Sequence, residues 1–209
     1  MPAASRHLLL IRHGQSNWNA VGRWQGQADP PLSPLGETQA AEAAERLKAM
    51  GIVVVWSSNL QRARRTAEII AVTLGLGEVR VDPGLGEIDV GDWTGLTRDE
   101  IHAGWPGQLA DWSEGRSASP PGGETRDHLA ARARATLTRL AGAASAGDRL
   151  LVVSHGALIR NLDRVLGLPP QGIPNLSGRW YEADGDGALV PGELVAVADP
   201  EDTTRSPSP

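Results

Sequence analysis

A cation, an imidazole and a glycine follow directly after an apolar run near the start of the chain. Residues 8–11 form the run, which predicts a buried strand, and Arg12, His13 and Gly14 come next. Ligands of open α/β sheets bind at the carboxyl ends of the strands, so these residues stand where a ligand would lie. Arginine binds oxyanions through two parallel hydrogen bonds, histidine can act as a nucleophile, and glycine lets a ligand approach the backbone. The three residues predict a phosphate pocket that contains a histidine.

A second strand-to-helix junction carries another candidate phosphate ligand. The β-branched run at 52–56 predicts a strand, and the polar residues 57–59 predict the N-cap of a helix that runs from about residue 60 to 74. Arg62 falls in the first turn of that helix. The N-terminus of a helix favours anions, and the arginine fork can bind phosphoryl oxygen atoms there.

A histidine and three carboxylates complete the set of residues that could do chemistry. His155 follows a third apolar run, and Glu87, Asp89 and Asp92 lie in a mostly irregular segment between residues 84 and 123. Long irregular segments inside compact domains are usually functional. A carboxyl group at such a place could act as a general acid, and the residues alone do not choose among the three.

The composition excludes several classes of chemistry. The chain has 209 residues, a formal net charge of −5 and no cysteine, which excludes cysteine-based phosphatase chemistry and thiol metal sites. No pair of its five histidines has the i, i+4 spacing of a helical zinc site, so we expect no metal and no cofactor. Its basic runs are short, which disfavours nucleic-acid binding, and no apolar stretch is long enough for a membrane span. A cytoplasmic location is therefore expected.

Strands that alternate with helices predict an α/β fold. We expect a three-layer α/β/α sandwich with a mainly parallel central sheet, built as one domain over residues 1–198. A polar tail at 199–209, rich in proline and serine, is expected to be disordered. Two weaker strands near residues 180 and 194–197 make the C-terminal segment a candidate homodimer interface.

Four motifs in order resemble those of the histidine phosphatase (phosphoglycerate mutase-like) superfamily. They are Arg-His-Gly-Gln-Ser-Asn-Trp-Asn at 12–19, Ser-Ser-x-Leu-x-Arg-Ala-x-x-Thr-Ala at 57–67, Leu-x-Glu-x-x-x-Gly-x-Trp-x-Gly at 85–95 and Ser-His-Gly at 154–156. The resemblance spans roughly residues 7–165 and implies a phosphoglycerate mutase-like fold.

The resemblance also assigns roles to individual residues. It implies that His13 is the nucleophile and that Glu87 is the proton donor to the leaving oxygen. It further implies that the phosphoryl group is bound by Arg12, Arg62 and His155, with an amide donor from Asn19 and substrate contacts from Gln25 and Gly26.

The function that this resemblance implies is a metal-independent phosphomonoesterase. It would hydrolyse small phosphorylated metabolites through a phosphohistidine intermediate. One alternative is a cofactor-dependent phosphoglycerate mutase, but such mutases carry a longer, basic insertion between the proton donor and the second histidine than residues 95–154 provide. The other alternative is a binding module that keeps the pocket without turnover.

Overall fold

A six-stranded sheet forms the centre of the fold. In this computed structural model, which describes residues 5–184 and 187–198, the strands are β1 (Arg6–Arg12), β2 (Val54–Ser57), β3 (Arg80–Val81), β4 (Arg149–Ser154), β5 (Ser177–Ala183) and β6 (Leu189–Ala196). Their order across the sheet is β3-β2-β4-β1-β5-β6. The first four in this order are parallel, whereas β5 runs antiparallel to both β1 and β6. The tail at 199–209 lies outside the described residues.

Alternate residues of the central strands face two separate hydrophobic cores. Leu8 and Leu10 of β1 lie in one core, and Leu9 and Ile11 lie in the other, because successive side chains of a strand point to opposite faces. All four are fully buried, as expected for a parallel strand that is covered on both sides.

Helices cover both faces of the sheet. They are α1 (Asn17–Ala20), α2 (Pro34–Leu47), α3 (Gln61–Thr73), α4 (Arg98–Gly104), α5 (Gln108–Ser113), α6 (Arg126–Gly142) and α7 (Gly156–Val165). α2 and α3 supply residues to one core, and α4, α5, α6 and α7 supply residues to the other. The predicted three-layer arrangement with a mainly parallel sheet is confirmed. Among the described residues, no helix has the length and apolar character needed to cross a bilayer.

The sequence predicted one helix cap correctly and another wrongly. The hydroxyl of Ser33 caps α2 by accepting from the backbone N–H of Gly36, as the Ser-Pro pair at this position indicates. The N-cap of α3 is Leu60, which makes no side-chain cap, and not one of the polar residues 57–59. The N–H of Gln61 donates instead to Asp29 Oδ1 at 2.6 Å. Asp29, which is 32 residues away in the sequence, thus supplies the cap that the sequence predicted from residues 57–59.

Two short helices lie in segments that the sequence predicted to be loops. α1 follows the first motif directly, because Ser16 and Asn19 form a reciprocal capping box around it. α5 lies in the segment between residues 84 and 123, after the helix α4 that was predicted near residues 97–103.

Candidate active site

The carboxyl ends of three neighbouring strands meet at one point of the sheet edge. β1, β4 and β2 are adjacent and parallel, so the residues that follow them lie side by side. The backbone N–H of His13 donates to the carbonyl of Ser154, and that of Ser58 donates to the carbonyl of Val153, both at 3.0 Å. Parallel pairing therefore continues past the strand ends and fixes the relative positions of the site residues.

The imidazole of His13 is buried and held in one tautomer. Its Nδ1 lies 2.6 Å from the carbonyl oxygen of Gly14, which can only accept, so Nδ1 carries the proton. Nε2 accepts a hydrogen bond of 3.2 Å from Nε of Arg62. Burial, with the charges of Arg62 and Arg12, lowers the pKa of His13 well below its usual value. A neutral ring with a lone pair on Nε2 is the form that can attack phosphorus.

Hydrogen bonds from distant segments fix the loop that carries His13. The side-chain amide of Asn175 donates to the carbonyl of His13 at 2.7 Å. The N–H of Gly14 donates to Thr66 Oγ1 at 3.1 Å, and that hydroxyl donates to the carbonyl of Arg62 at 2.8 Å. The loop is thereby tied both to α3 and to the segment before β5.

Gly14 and Gly36 bring the same loop into backbone contact with α2. A Cβ atom on Gly14 would lie 2.6 Å from the carbonyl oxygen of Gly36, and one on Gly36 would lie 2.0 Å from that of Gln15. These distances are too short for any side chain. Glycine at both positions is therefore required for the close approach that seats the loop on the helix.

Two buried guanidinium groups flank His13. Arg62 donates to the carbonyl of Ala28 at 2.7 Å and to that of Gly26 at 2.9 Å, and Arg12 donates to the carbonyl of Ile173 at 2.9 Å. Burial lowers the pKa of each arginine to about 10. Both side chains stay charged at neutral pH, so a bound anion would stabilise them in a region that water reaches poorly.

The second histidine lies beside the first. The ring centroids of His155 and His13 are 5.1 Å apart. His155 Nε2 lies 2.9 Å from Oγ of Ser58, whereas its buried Nδ1 has no hydrogen-bond partner among the residues that the structure describes. Burial, followed by the charge of Arg62, lowers the pKa of His155 well below its usual value. An unpartnered buried nitrogen at this position fits a hydrogen bond to a phosphoryl oxygen.

Glu87 is held against the first turn of α7. Its carboxylate oxygen atoms accept from the backbone N–H groups of Ala157 and Leu158, both at 3.2 Å, and from that of Ile88 at 2.9 Å. α7 begins directly after His155, so these bonds place Glu87 next to the second histidine. The N–H groups at the start of α7, which have no partner within the helix, thereby fix the orientation of the Glu87 side chain.

The three carboxylates that the sequence offered as candidate proton donors have different surroundings in the structure. The side chain of Asp89 accepts from the backbone N–H of Gly91 at 2.9 Å and so stabilises its own turn. Asp92 is exposed to solvent. Glu87 alone of the three is both buried and bonded to the helix that follows His155.

The three predicted substrate-binding residues lie around one hydrogen-bonded loop. The N–H of Ser16 donates to Asn19 Oδ1 at 3.1 Å, and its hydroxyl donates to Gln25 Oε1 at 2.8 Å. These bonds use the amide oxygen atoms, so the amide nitrogen atoms are the groups that could donate to a ligand. Gly26, at a φ of +50°, presents its carbonyl to Arg62 and has no room for a side chain.

Sequence reasoning missed a clamp that holds the Glu87 segment. Arg132 of α6 donates to the carbonyls of Gly84 at 3.1 Å, Gly86 at 2.7 Å and Glu87 at 2.9 Å. The same guanidinium binds both carboxylate oxygens of Glu124, at 2.8 and 2.9 Å. Although burial raises it, the bonds and charge of Arg132 lower the pKa of Glu124 overall.

The sequence carried half of the signal for this clamp. Glu124 stands in a Gly-Glu-Thr context that resembles the family pattern, whereas Arg132 is one of several arginines in an Ala- and Arg-rich helix. Periodicity shows which face of α6 is apolar, but it does not show which arginine reaches across to residues 84–87. That contact depends on tertiary packing.

The arrangement can bind a phosphoryl group and attack it. Arg12 and Arg62 supply positive charge, His13 supplies a neutral nucleophile, and Glu87 supplies a carboxyl group that can move a proton. Within residues 5–184 and 187–198, no three histidine, aspartate or glutamate side chains are grouped so that they could hold a metal ion.

Known proteins resemble this chain over most of its length. Residues 8–186 match the histidine phosphatase superfamily (branch 1). The glucosyl-3-phosphoglycerate phosphatase of Mycobacterium tuberculosis is 40% identical over 193 residues, which cover 87% of this chain and 86% of that protein. A 2,3-bisphosphoglycerate-dependent phosphoglycerate mutase of a Methylobacterium species is 39% identical over 178 residues. This match covers 82% of this chain and 86% of that protein.

Solved structures agree with the sequence comparisons. The mycobacterial glucosyl-3-phosphoglycerate phosphatase in complex with VO3 superposes with a TM-score of 0.77 at 38% identity. The superposition covers 91% of this chain and 99% of that chain. A phosphoserine phosphatase of Entamoeba histolytica gives a TM-score of 0.78 at 27% identity, and the superposition covers 92% of this chain and 98% of that chain. The predicted enzyme class, a phosphoric monoester hydrolase, agrees with the names of the phosphatases among these relatives. The order of the motifs, the sheet and the similarity over residues 8–186 lead to one conclusion: the chain belongs to branch 1 of the histidine phosphatase superfamily.

Proposed function

We propose that this protein hydrolyses phosphate monoesters of small metabolites through a phosphohistidine on His13. The observation that carries the proposal is the state of His13, a buried neutral imidazole whose Nε2 faces the guanidinium of Arg62 and whose Nδ1–H is bound by Gly14. A phosphoryl group bound by Arg62 would lie beside Nε2, and the lone pair of Nε2 would become available for attack once Nε of Arg62 donates to a phosphoryl oxygen instead.

In the first step, Nε2 of His13 forms a bond to phosphorus while the bond from phosphorus to the ester oxygen breaks. Arg12, Arg62 and Nδ1 of His155 bind the phosphoryl oxygen atoms and stabilise the charge that they carry in the transition state. The leaving oxygen keeps the electron pair and takes a proton from Glu87. Oε2 of Glu87 accepts only one of the three backbone bonds, so it is the oxygen that can carry this proton.

In the second step, the carboxylate of Glu87 takes a proton from a water molecule as the water oxygen attacks phosphorus. The bond between phosphorus and Nε2 breaks, and its electron pair returns to His13. The products are the free alcohol and inorganic phosphate, and both Glu87 and His13 regain their starting forms. In both steps, catalysis depends mainly on charged groups that are already in position to stabilise the transition state, as expected for loose phosphoryl-transfer transition states.

The direct test is phosphate release from a panel of phosphomonoesters in excess EDTA. The panel contains glucosyl-3-phosphoglycerate, 3-phosphoglycerate, phosphoserine and phosphosugars, with the wild-type protein and His13→Ala measured side by side. We expect EDTA-resistant release that disappears in the variant, and acid-labile label on the wild-type protein after quenching with ³²P-labelled substrate. Release that survives in His13→Ala would contradict the phosphohistidine mechanism.

The second candidate function is a phosphoglycerate mutase, which the name of the Methylobacterium relative favours. A mutase would return the phosphoryl group of His13 to a sugar acid in place of water. Conversion of 3- to 2-phosphoglycerate in the presence of 2,3-bisphosphoglycerate, faster than phosphate release, would establish this alternative. Tight binding of phosphate esters without either reaction would establish the binding module. The cytoplasmic location and the homodimer remain predictions.

A further inference from the structure

A serine hydroxyl that the proposed mechanism does not use lies against the second histidine. Oγ of Ser58 is 2.9 Å from Nε2 of His155, and both side chains are fully buried. Ser58 is one of the polar residues 57–59 from which the sequence predicted the cap of α3, yet the N-cap is Leu60, whose side chain makes no cap. Capping of α3 therefore does not account for a serine at position 58.

The backbone fixes the position of this hydroxyl. β2 and β4 pair in parallel as far as Ser57 and Val153, and the N–H of Ser58 then donates to the carbonyl of Val153 at 3.0 Å. The backbone N–H of Leu60 donates to Oγ of Ser58 at 3.2 Å, which closes a local turn around the side chain. Because Val153 lies two residues before His155, the sheet itself holds the hydroxyl beside the imidazole.

The proton of the Ser58 hydroxyl determines the direction of this hydrogen bond. A hydroxyl group has one proton to donate and two lone pairs to accept with, and the N–H of Leu60 already uses one lone pair. In the part of the chain that the structure describes, Nε2 of His155 is the one acceptor that the hydroxyl contacts. Since buried polar groups are hydrogen-bonded with few exceptions, the hydroxyl donates to Nε2.

This direction fixes the tautomer of His155. Burial lowers the pKa of His155 well below its usual value, so the ring is neutral at neutral pH and carries a single proton. A ring whose Nε2 accepts from Ser58 must carry that proton on Nδ1. Nδ1 is the buried nitrogen that has no hydrogen-bond partner among the described residues, so its N–H is available to a ligand.

The opposite tautomer leaves more polar groups unsatisfied. If Nε2 of His155 carried the proton, it would donate to Oγ of Ser58, and the hydroxyl proton would have no acceptor among the described residues. Nδ1 would then present a lone pair to a bound phosphoryl oxygen, and two acceptors cannot form a hydrogen bond. Each unsatisfied buried group costs free energy, so the tautomer with the proton on Nδ1 is the stable one.

We propose that Ser58 is a positioning residue that sets the tautomer of His155 and thereby makes Nδ1 a hydrogen-bond donor to the phosphoryl group. The inference rests on the proposed function, because that function places a phosphoryl oxygen at Nδ1 of His155. It goes further by naming the side chain on which the donor character of the second histidine depends.

The two histidines then differ in role although they share one tautomer. The carbonyl of Gly14 can only accept, so it binds the protonated Nδ1 of His13 and leaves Nε2 bare as the nucleophile. The hydroxyl of Ser58 donates to the bare Nε2 of His155 and leaves the protonated Nδ1 as the donor. The partner of each ring therefore decides which nitrogen faces the phosphoryl group.

The tautomer can be measured in a two-bond ¹H–¹⁵N correlation spectrum of the uniformly ¹⁵N-labelled protein at neutral pH. Protonated and bare ring nitrogen atoms resonate in separate ranges, and the signals of His155 are those that disappear in His155→Gln. Spectra are recorded for the wild-type protein, Ser58→Ala and Ser57→Ala. The last is the matched control, because the buried hydroxyl of Ser57 donates to the backbone carbonyl of Ser58, at 2.8 Å, and not to an imidazole.

We expect the wild-type protein and Ser57→Ala to hold the proton of His155 on Nδ1, and Ser58→Ala to show a mixture of both tautomers. Added inorganic phosphate should shift the Nδ1 proton of His155 in the wild-type protein, because that proton gains an acceptor. In Ser58→Ala, kcat/KM should fall about threefold to tenfold, the usual contribution of one hydrogen bond. The loss should be equal for an alkyl phosphate and p-nitrophenyl phosphate, because Ser58 acts on the phosphoryl group and not on the leaving oxygen.

A proton on Nε2 of His155 in the wild-type protein, or an unchanged tautomer in Ser58→Ala, would overturn the proposal. A phosphate-induced shift of His13 signals without a shift at Nδ1 of His155 would overturn it as well. If Ser58→Ala does not fold, the wild-type spectra decide, because a bare Nε2 at 2.9 Å from the hydroxyl can only accept from it. A tautomer that depends on Ser58 in a protein that hydrolyses no phosphate ester would support the role of Ser58 and contradict the proposed function.

Discussion

At the scale of single residues, the roles of His13 and Arg62 depend on one shared hydrogen bond. Nε of Arg62 donates to the lone pair of His13 Nε2, which keeps the ring neutral and correctly oriented. The same guanidinium ties down the carbonyls of Gly26 and Ala28. Arg62 is thus both a candidate phosphate ligand and a support for the loop beside it.

The assignment of Glu87 as proton donor can be tested through the leaving group. Glu87→Gln keeps the shape of the side chain but has no proton to transfer. We expect kcat/KM for an alkyl phosphate to fall by about 10²–10⁴, the usual contribution of a general acid. kcat/KM for p-nitrophenyl phosphate should fall far less, because its leaving oxygen needs little protonation.

Asp92→Asn provides the control for that experiment. Asp92 is an exposed carboxylate of the same segment, and we expect its removal to leave both rates unchanged. Equal losses for the two substrates in Glu87→Gln would show that Glu87 is not the acid of the first step.

At the scale of elements, the segment before Glu87 depends on α6 for its position. Arg132 binds three carbonyls between residues 84 and 87 and is itself held by Glu124. The first turn of α7 then receives the carboxylate of Glu87. Two helices that are distant in sequence thus fix one side chain between them.

We predict that Arg132→Gln lowers kcat/KM in the same substrate-dependent way as Glu87→Gln, though by a smaller factor. The reason is that Arg132 positions the acid without touching the substrate. An alkyl phosphate and p-nitrophenyl phosphate are again compared, with the far-ultraviolet circular dichroism of the variant recorded. Equal losses on the two substrates would indicate a general structural role.

The sequence predicted most elements that depend on local chemistry, with the short helix α1 and its local capping box as an exception, and it missed the contacts that depend on distant residues. The strand ends at His13 and His155 and the cap at Ser33 follow from adjacent residues, and these parts of the fold are confirmed. The cap of α3 was wrong because it comes from Asp29, a loop residue. The segment before Glu87 is held by an arginine 45 residues away, which no periodicity reveals.

The role of Glu87 also depends on contacts between residues that are distant in the sequence. From the residues alone, Glu87 could not be separated from Asp89 and Asp92, because their difference lies in the contact with α7 across about 70 residues. The resemblance to the family selected Glu87, and the geometry gives a physical reason for that choice. The roles of the predicted site residues remain predictions until they are measured.

At the scale of the whole molecule, two neutral histidines are buried at the centre of the site. The pKa values of His13 and His155 lie well below the usual value for histidine, mainly because of burial. Below a pH of about 6.5, the unfolded chain therefore binds protons that the folded protein does not. Stability must then rise with pH in this range and fall as the solution is acidified.

We predict that the free energy of unfolding decreases between pH 6.5 and 5, with a slope that depends on these two residues. His155→Gln removes one group that must be protonated on unfolding. The slope of the free energy of unfolding against pH should be smaller in this variant than in the wild-type protein. The difference is up to about 1.4 kcal/mol per pH unit, the value for one bound proton. Urea unfolding at several pH values in phosphate-free buffer measures this slope.

A matched control uses His102→Gln, which removes an exposed histidine of α4. We expect this variant to keep the wild-type dependence on pH. Identical slopes for the wild-type protein and His155→Gln would show that His155 is not the source of the acid sensitivity.

The contact between Gly14 and Gly36 has a consequence for how this protein can diversify. Neither residue offers a functional group, yet a single methyl group at either would strike the opposing backbone. In a saturation mutagenesis library selected for activity, both positions should be as intolerant as His13 itself. Changes of specificity must therefore arise at other positions of the chain, because the backbone contact between the first loop and α2 leaves no room for a side chain at either glycine.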